Sequence, residues 1–137
     1  MSVSITIGYQ GELHCEATHE PSGNQLQTDA PRDNHGRGES FSPTDLVATA
    51  LGTCMATSMA LLGQRNGVEL KGTRVSVVKE MTTEPPRRIA RLTSEVHLPL
   101  PPDHILREEL EAAAHGCPVL RSLHPDTALP VKFVWKA

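Results

Sequence analysis

Two cysteines far apart in the chain, Cys54 and Cys117, are the residues whose type and setting point most clearly to chemistry. A thiolate is a nucleophile that readily attacks oxidants, and two thiols brought together by folding can form a reversible disulfide. No two cysteines are spaced as CxxC, so a zinc or thioredoxin-like pair is not indicated. The third cysteine, Cys15, lies on a predicted strand and is interpreted as a bystander. The sequence therefore predicts a redox-active thiol pair that only folding completes.

Cys54 lies near the middle of a predicted long helix over residues 43–65. Ser42 can cap this helix, Pro43 suits its first turn because it lacks an N–H, and Asp45 complements the positive end of the helix dipole. Taken alone, Cys54 has a simpler interpretation as a small apolar residue buried in the core. A functional role for it needs a partner.

Cys117 has a more distinctive setting between Gly116, which ends one predicted helix, and Pro118, which begins another. This is an N-cap position, where unpaired backbone N–H groups and the positive end of the helix dipole stabilise an anion. The local pattern therefore predicts a lowered pKa for Cys117 and makes it the more acidic of the two thiols.

The elements that must position these thiols predict an α+β fold in a single domain over residues 1–137. Alternating apolar residues predict a hairpin that turns near Gln10-Gly11, and a polar, glycine-rich loop covers 29–40. The other predicted elements are strands over 26–28, 69–83, 88–100 and 131–135, helices over 43–65 and 103–114, and a short helical turn from Pro118. The order βββ–α–ββ–α–α–β predicts antiparallel sheets packed on long central helices.

The long helix is apolar or small on almost every face. Burying all of it requires more cover than a domain of 137 residues readily provides. A second copy of the chain would supply that cover, and we therefore expect a homodimer. A sheet of the same chain wrapped around the helix is the alternative.

Composition excludes several classes of protein. Apolar residues make up 38% of the chain, charged residues 21%, and the formal net charge is −3, which favours neither disorder nor a nucleic-acid surface. The longest apolar stretch is interrupted by polar residues, and no basic segment with an apolar run opens the chain, so neither a membrane span nor secretion is expected. The seven histidines are scattered, and neither a metal nor a cofactor is indicated. A reducing cytoplasm is the expected compartment.

At this point two segments carry a family resemblance. The run from Phe41 to Cys54 (FSPTDLVATALGTC), followed much later by GCPV over 116–119 and by Ser122-Leu123, resembles the OsmC/Ohr family of thiol peroxidases. The element order, Thr28-Asp29 before a glycine-rich loop and the closing Phe133-Val134-Trp135 also agree, so the resemblance covers nearly the whole chain.

The resemblance implies an OsmC-like fold assembled as an intertwined homodimer, with active sites at the subunit interface. It gives Cys54 the role of peroxidatic thiol and Cys117 that of resolving thiol. The implied activity is reduction of organic, and by extension inorganic, hydroperoxides. Attack by Cys54 gives a sulfenic acid, which forms a disulfide with Cys117, and an external dithiol reduces that disulfide. No metal or organic cofactor takes part.

The chain departs from the family's peroxidases in the residues that support the thiol. Those enzymes use an arginine from the first hairpin and a glutamate in the first turn of the long helix. Here Thr44 takes the glutamate's place with Asp45 beside it, and residues 8–22 contain no arginine. Arg32 and Arg37 in the next loop are the nearest candidates to stabilise the thiolate, with solvated loop arginines as the plainer interpretation. The departures leave two alternatives: a redox-sensing or small-ligand-binding protein without efficient peroxidase turnover, and a structural dimer with inert cysteines.

Overall fold

The computed structural model describes residues 1–136 and has the predicted order of elements. Six strands (β1 Ile5–Tyr9, β2 His14–His19, β3 Gln25–Asp29, β4 Arg74–Met81, β5 Ile89–Leu98, β6 Val131–Trp135) accompany three α-helices (α1 Pro43–Arg65, α2 Arg107–His115, α3 Pro118–Ser122) and a short 3₁₀ turn at Arg32–Asn34. The residues group into two compact units, Met1–Val47 and a second from Ala48 onward. That residues 1–137 form a single domain stays a prediction.

The first unit contains a three-stranded antiparallel sheet in the order β1-β2-β3. Because side chains alternate along a strand, one face of this sheet carries the apolar residues of all three strands. Ile7 lies opposite Ala17, which in turn lies opposite Leu26. Every residue of β1 is exposed, including Ile5 and Ile7. The unit therefore presents an uncovered apolar face.

Helix α1 begins where the sequence signals place it, at a reciprocal cap. The backbone N–H of Asp45 donates to Ser42 Oγ at 3.0 Å, and the backbone N–H of Ser42 donates to Asp45 Oδ2 at 2.9 Å. This is the capping-box arrangement with an aspartate in place of the usual glutamate, and it satisfies two donors that a helix start leaves free. Local signals alone fix this end of the helix.

One face of α1 is buried. Its buried residues recur at helical spacing: Ala48, Leu51, Gly52, Met55, Met59 and Gly63. Gly52 allows a close approach to β4, since a Cβ there would lie 3.2 Å from a methyl of Val77. Thr49, Thr53, Thr57 and Leu61 on the other side are exposed. The helix is thus buried on one side only, whereas its composition would suit burial all round.

By length and composition, α1 also meets the criterion for a membrane span, at a mean hydropathy of 1.6 over its most apolar window. The core helix of a soluble protein meets the same criterion. Within the protein 33% of that window is buried, including Leu51, Met55 and Met59, which are fully buried.

The second unit contains a sheet in the order β4-β5-β6, and here the prediction of purely antiparallel sheets is wrong. Strands β4 and β5 are antiparallel as expected, but β6 runs parallel to β5, with Val96 opposite Phe133. The physical reason is the connection: α2 and α3 lie between β5 and β6 and return the chain to the end where β5 began, as a parallel pair requires. The sheets are therefore antiparallel apart from this one pair.

The core of the second unit lies between α1, β5 and α2. The fully buried side chains from these elements are Leu51, Met55, Met59, Leu92, Val96, Leu110 and Ala114. Some predicted bounds were too generous: β4 starts at Arg74, and α2 starts at Arg107 because the segment after Pro101 forms turns first. Only α1 is a long helix, since α2 has 9 residues.

Candidate active site

Cys54 lies on α1 directly before the fully buried Met55, at the border between the buried and exposed sides of the helix. Its side chain is half-buried. A thiol in this position is held by a rigid, well-packed element and remains open to a small reagent on one side. This is a suitable setting for a reactive cysteine and differs from that of an inert core thiol.

Cys117 lies at the junction of two helices, as its neighbours predicted. The Gly116 N–H donates to the Ala112 carbonyl at 3.0 Å and closes α2, and Pro118 is the first residue of α3. Cys117 is the N-cap of α3, with extended backbone, but its side chain makes no capping hydrogen bond. Unlike Cys54, it is fully buried.

The structure brings these two thiols together. Cys54 lies near enough to Cys117 to raise the pKa of its thiol, although a hairpin and a helix separate the two residues in the chain. Both cysteines are free. The structure therefore places a half-buried thiol and a fully buried thiol near each other, as a disulfide between them would require.

The predicted acidity of Cys117 is wrong. Burial, the largest influence, raises the pKa of Cys117 above its ordinary value of 9.0, and the contact with Cys54 raises it further. The backbone N–H groups of Leu120 and Val119 act in the opposite direction, as the N-cap argument expected, but without a full capping hydrogen bond they do not outweigh burial. Cys117 therefore retains its proton at neutral pH.

The predicted supporting residues have clear contacts of their own. Asp45 forms the cap of α1 with Ser42. Arg37 bonds Asp29 through Nη2 at 3.3 Å and lies 3.6 Å from a Glu12 oxygen, while Arg32 donates from Nε to the Arg37 carbonyl at 3.3 Å. That Arg32, Arg37 or Asp45 supports the Cys54 thiolate stays a prediction.

Sequence reasoning missed a polar cluster that surrounds Asp29. His14 Nδ1 lies 2.6 Å from Asp29 Oδ1, and the two residues are directly opposite each other on β2 and β3. This hydrogen bond, followed by the Arg37 interaction, lowers the pKa of Asp29 below its ordinary 3.8, and burial opposes the change. Correct register between the two predicted strands would have identified the pair.

Cys15 takes no part in the thiol pair. It lies on the apolar face of the first sheet, opposite Tyr9 and Thr28, and is half-buried. Within residues 1–136, no group of three or more His, Cys, Asp or Glu side chains is arranged to hold a metal ion.

Comparisons with known proteins agree on one family. The profile described as OsmC-like protein matches residues 36–132. A crystal structure from Psychrobacter arcticus, named for osmotic stress induction and a detoxification response, is similar with 36% identity and a TM-score of 0.89, covering 94% of this chain and 93% of that one. No protein of curated function matches the sequence.

More distant structures share the fold. An organic hydroperoxide resistance protein from Legionella pneumophila has 17% identity and a TM-score of 0.76, covering 98% of this chain and 97% of that one. A protein from Vibrio cholerae, also named for organic hydroperoxide resistance and holding captopril in one active site, has 18% identity and a TM-score of 0.77, covering 97% and 91%.

Proposed function

The chain belongs to the OsmC/Ohr family of OsmC-like proteins, and from that premise we propose that it is a thiol peroxidase that reduces organic, and also inorganic, hydroperoxides. The observation that carries the proposal is that the Cys54 and Cys117 thiols lie close enough together to interact. Structures with the same fold are named for organic hydroperoxide resistance, which supports the proposed substrate class.

In the proposed reaction Cys54 is the attacking thiol. Its side chain is partly exposed, whereas Cys117 is sealed from solvent, so an oxidant meets Cys54 first. The raised pKa of Cys117 supports the same assignment, because the thiol that keeps its proton can donate a hydrogen bond to a Cys54 thiolate. Burial thus supports the roles that the family resemblance implies over those that the N-cap argument gave.

The proposed catalytic cycle has three steps. The Cys54 thiolate attacks the O–O bond of the hydroperoxide, giving a Cys54 sulfenic acid and an alkoxide that takes a proton to become the alcohol. The Cys117 thiol then displaces hydroxide from the sulfenic sulfur, which forms the Cys54–Cys117 disulfide and, with the Cys117 proton, releases water. An external dithiol reduces this disulfide and leaves as its own disulfide.

The proposal includes a homodimer in the cytoplasm. The apolar face of the first sheet supports the dimer, because Ile5, Ile7 and Tyr9 are each more than half exposed and a three-stranded sheet needs cover on one face to be stable. The partly exposed side of α1 supports it as well. The cytoplasm is proposed because a reducing compartment suits a disulfide that forms only transiently.

One observation favours a second candidate, a redox sensor or ligand-binding protein of the same fold. The Arg37 guanidinium interacts with Asp29 and Glu12, whereas an arginine that activates a thiol must interact with the thiolate. This candidate predicts slow oxidation of Cys54 without turnover.

A stopped-flow assay with tert-butyl hydroperoxide and a dithiol reductant tests the proposal. The unmodified protein and the control Cys15→Ser should turn over alike, and Cys54→Ser should be inactive. Cys117→Ser should complete one oxidation and stop, with a sulfenic acid that dimedone traps. Equal turnover by Cys54→Ser and the unmodified protein would exclude the mechanism, and slow oxidation without turnover in the unmodified protein would favour the second candidate.

A further inference from the structure

The polar cluster of the first unit has features that the thiol chemistry does not use. We call it the latch, and it consists of His14, Asp29, Arg37 and Glu12. His14 Nδ1 and Arg37 Nη2 both bond the same carboxylate oxygen, Asp29 Oδ1, at 2.6 and 3.3 Å. Arg37 Nη1 lies 3.6 Å from Glu12 Oε2. One oxygen atom therefore receives two nitrogen donors from different segments.

The members of the latch differ in burial. The Asp29 side chain is 3% exposed and that of His14 13%, whereas Arg37 is 39% and Glu12 80% exposed. A buried carboxylate needs compensating donors, but an exposed ion pair contributes little. The Asp29 carboxylate is therefore the centre of the latch, and the contact between Arg37 and Glu12 is secondary.

Arg37 belongs to a compact segment, residues 30–41, that we call the strap. The strap closes on itself through bonds from Gly36 N to the Pro31 carbonyl and from Gly38 N to the Ala30 carbonyl. A Cβ on Gly36 would collide with the Ala30 backbone, so the strap is tightly packed. Backbone hydrogen bonds join the ends of the strap to the first unit's sheet region, and the Arg37 side chain joins the strap to Asp29.

The turn before His14 is held in an uncommon conformation. Glu12 and Leu13 have φ values of 55° and 59°, in the left-handed region that residues other than glycine seldom adopt. From this turn Glu12 lies near Arg37 and His14 bonds Asp29. Such strain persists only where the surrounding contacts determine it.

Sharing one oxygen couples the two donors. A neutral imidazole gives Asp29 one hydrogen bond, and Arg37 supplies the positive charge that balances the buried carboxylate. A protonated His14 would supply that charge itself. The two nitrogens lie at most about 6 Å apart, because both contact Oδ1, so two positive charges there repel each other.

We propose that His14, Asp29 and Arg37 form a proton-coupled latch, in which protonation of His14 weakens the hold of Arg37 on Asp29 and loosens the strap. By linkage, loss of Arg37 favours protonation of His14 to the same extent. Histidine changes charge near neutral pH, so the strap loosens as the pH falls through that range.

Other charges act on His14 as well. Glu12 and, two residues along the same face of β2, Glu16 favour its protonation, although Glu16 also bonds Gln25. Arg32 adds a positive charge beside the strap, where its Nε donates to the Arg37 carbonyl. None of these groups contacts the Asp29 oxygen that His14 and Arg37 share.

An NMR titration of the His14 ring in the full chain tests the coupling. Arg37→Gln should raise the His14 midpoint by about one pH unit. The matched control Arg32→Gln removes a charge from the same strap without a contact to Asp29, and it should shift the midpoint by a much smaller amount. Equal midpoints in Arg37→Gln and the unmodified protein would overturn the proposal.

Hydrogen exchange tests the movement. The protection of strap amides, taken relative to β2 amides to cancel intrinsic pH effects, should fall about tenfold between about pH 8 and pH 6. His14→Gln keeps a donor for Asp29 but cannot take up a proton, so its strap should lose this dependence. If that variant does not fold, Arg37→Gln serves instead and should show low protection at both pH values. A ratio independent of pH in the unmodified protein would overturn the proposal.

Discussion

The difference in reactivity between the two thiols can be worked out from their surroundings. Burial holds the pKa of Cys117 above 9.0, so at pH 7 less than about 1% of Cys117 is thiolate. Because Cys117 is also fully buried, a reagent reaches that small fraction only when the structure opens locally. Cys54 is half-buried and needs no such opening. We therefore expect iodoacetamide to label Cys54 at least about tenfold faster than Cys117 in the folded protein.

Removal of Cys54 should have only a limited effect on the reactivity of Cys117. Two of the influences that raise the pKa of Cys117, the hydrogen bond and the charge interaction, come from Cys54, but burial is the largest. In Cys54→Ser, Cys117 should thus remain slow, with its labelling accelerated by less than about tenfold. If Cys54 and not burial controlled Cys117, the acceleration would be larger.

Time-resolved alkylation followed by peptide mass spectrometry measures both rates in one sample. Cys15→Ser provides a control that removes a thiol outside the pair, and labelling after unfolding gives the rate of each cysteine without protection. Labelling of Cys117 as fast as Cys54 in the folded protein would refute the argument from burial. It would also return the attacking role to Cys117, as its N-cap position alone suggested.

Three further outcomes concern stability and are measured by denaturant unfolding. Gly63→Ala should destabilise the protein by about 1–3 kcal/mol, because the new Cβ would lie 2.7 Å from the Val68 carbonyl oxygen. Gly52→Ala should change stability by less than about 1 kcal/mol, because its new Cβ meets only side-chain atoms and the substitution gains about 1 kcal/mol of helix propensity. Ser42→Ala should cost about 1 kcal/mol through loss of the α1 cap, and an unchanged midpoint would contradict that role. Folding lowers the pKa of Asp29, so the ionised carboxylate stabilises the folded protein above pH 3.8, and this stabilisation is lost as the pH falls through the lower folded value. Asp29→Asn should therefore flatten the loss of stability at acid pH.

The uncovered apolar face of the first sheet connects the stability of the fold to its assembly. If a second copy covers Ile5 and Ile7, unfolding depends on protein concentration, and the denaturant experiments above should be compared at a single concentration.

Features set by neighbouring residues could be determined from the sequence alone. The cap of α1 depends on Ser42 and Asp45, three residues apart, and its bounds over 43–65 were predicted correctly. The breaks at Gly116 and Pro118 likewise placed Cys117 at a helix start. Caps, turns and periodicity reflect contacts within a few residues, so a local pattern is enough to specify them.

Only the tertiary structure decided the rest. The contact of Cys54 with Cys117, the sharing of Asp29 by His14 and Arg37 and the parallel course of β6 all join residues that are distant in the chain. The pKa of Cys117 shows the physical reason most directly. Its nearest N–H groups, fixed by the sequence, lower the pKa, but the burial that raises it comes from the packed unit as a whole and outweighs them.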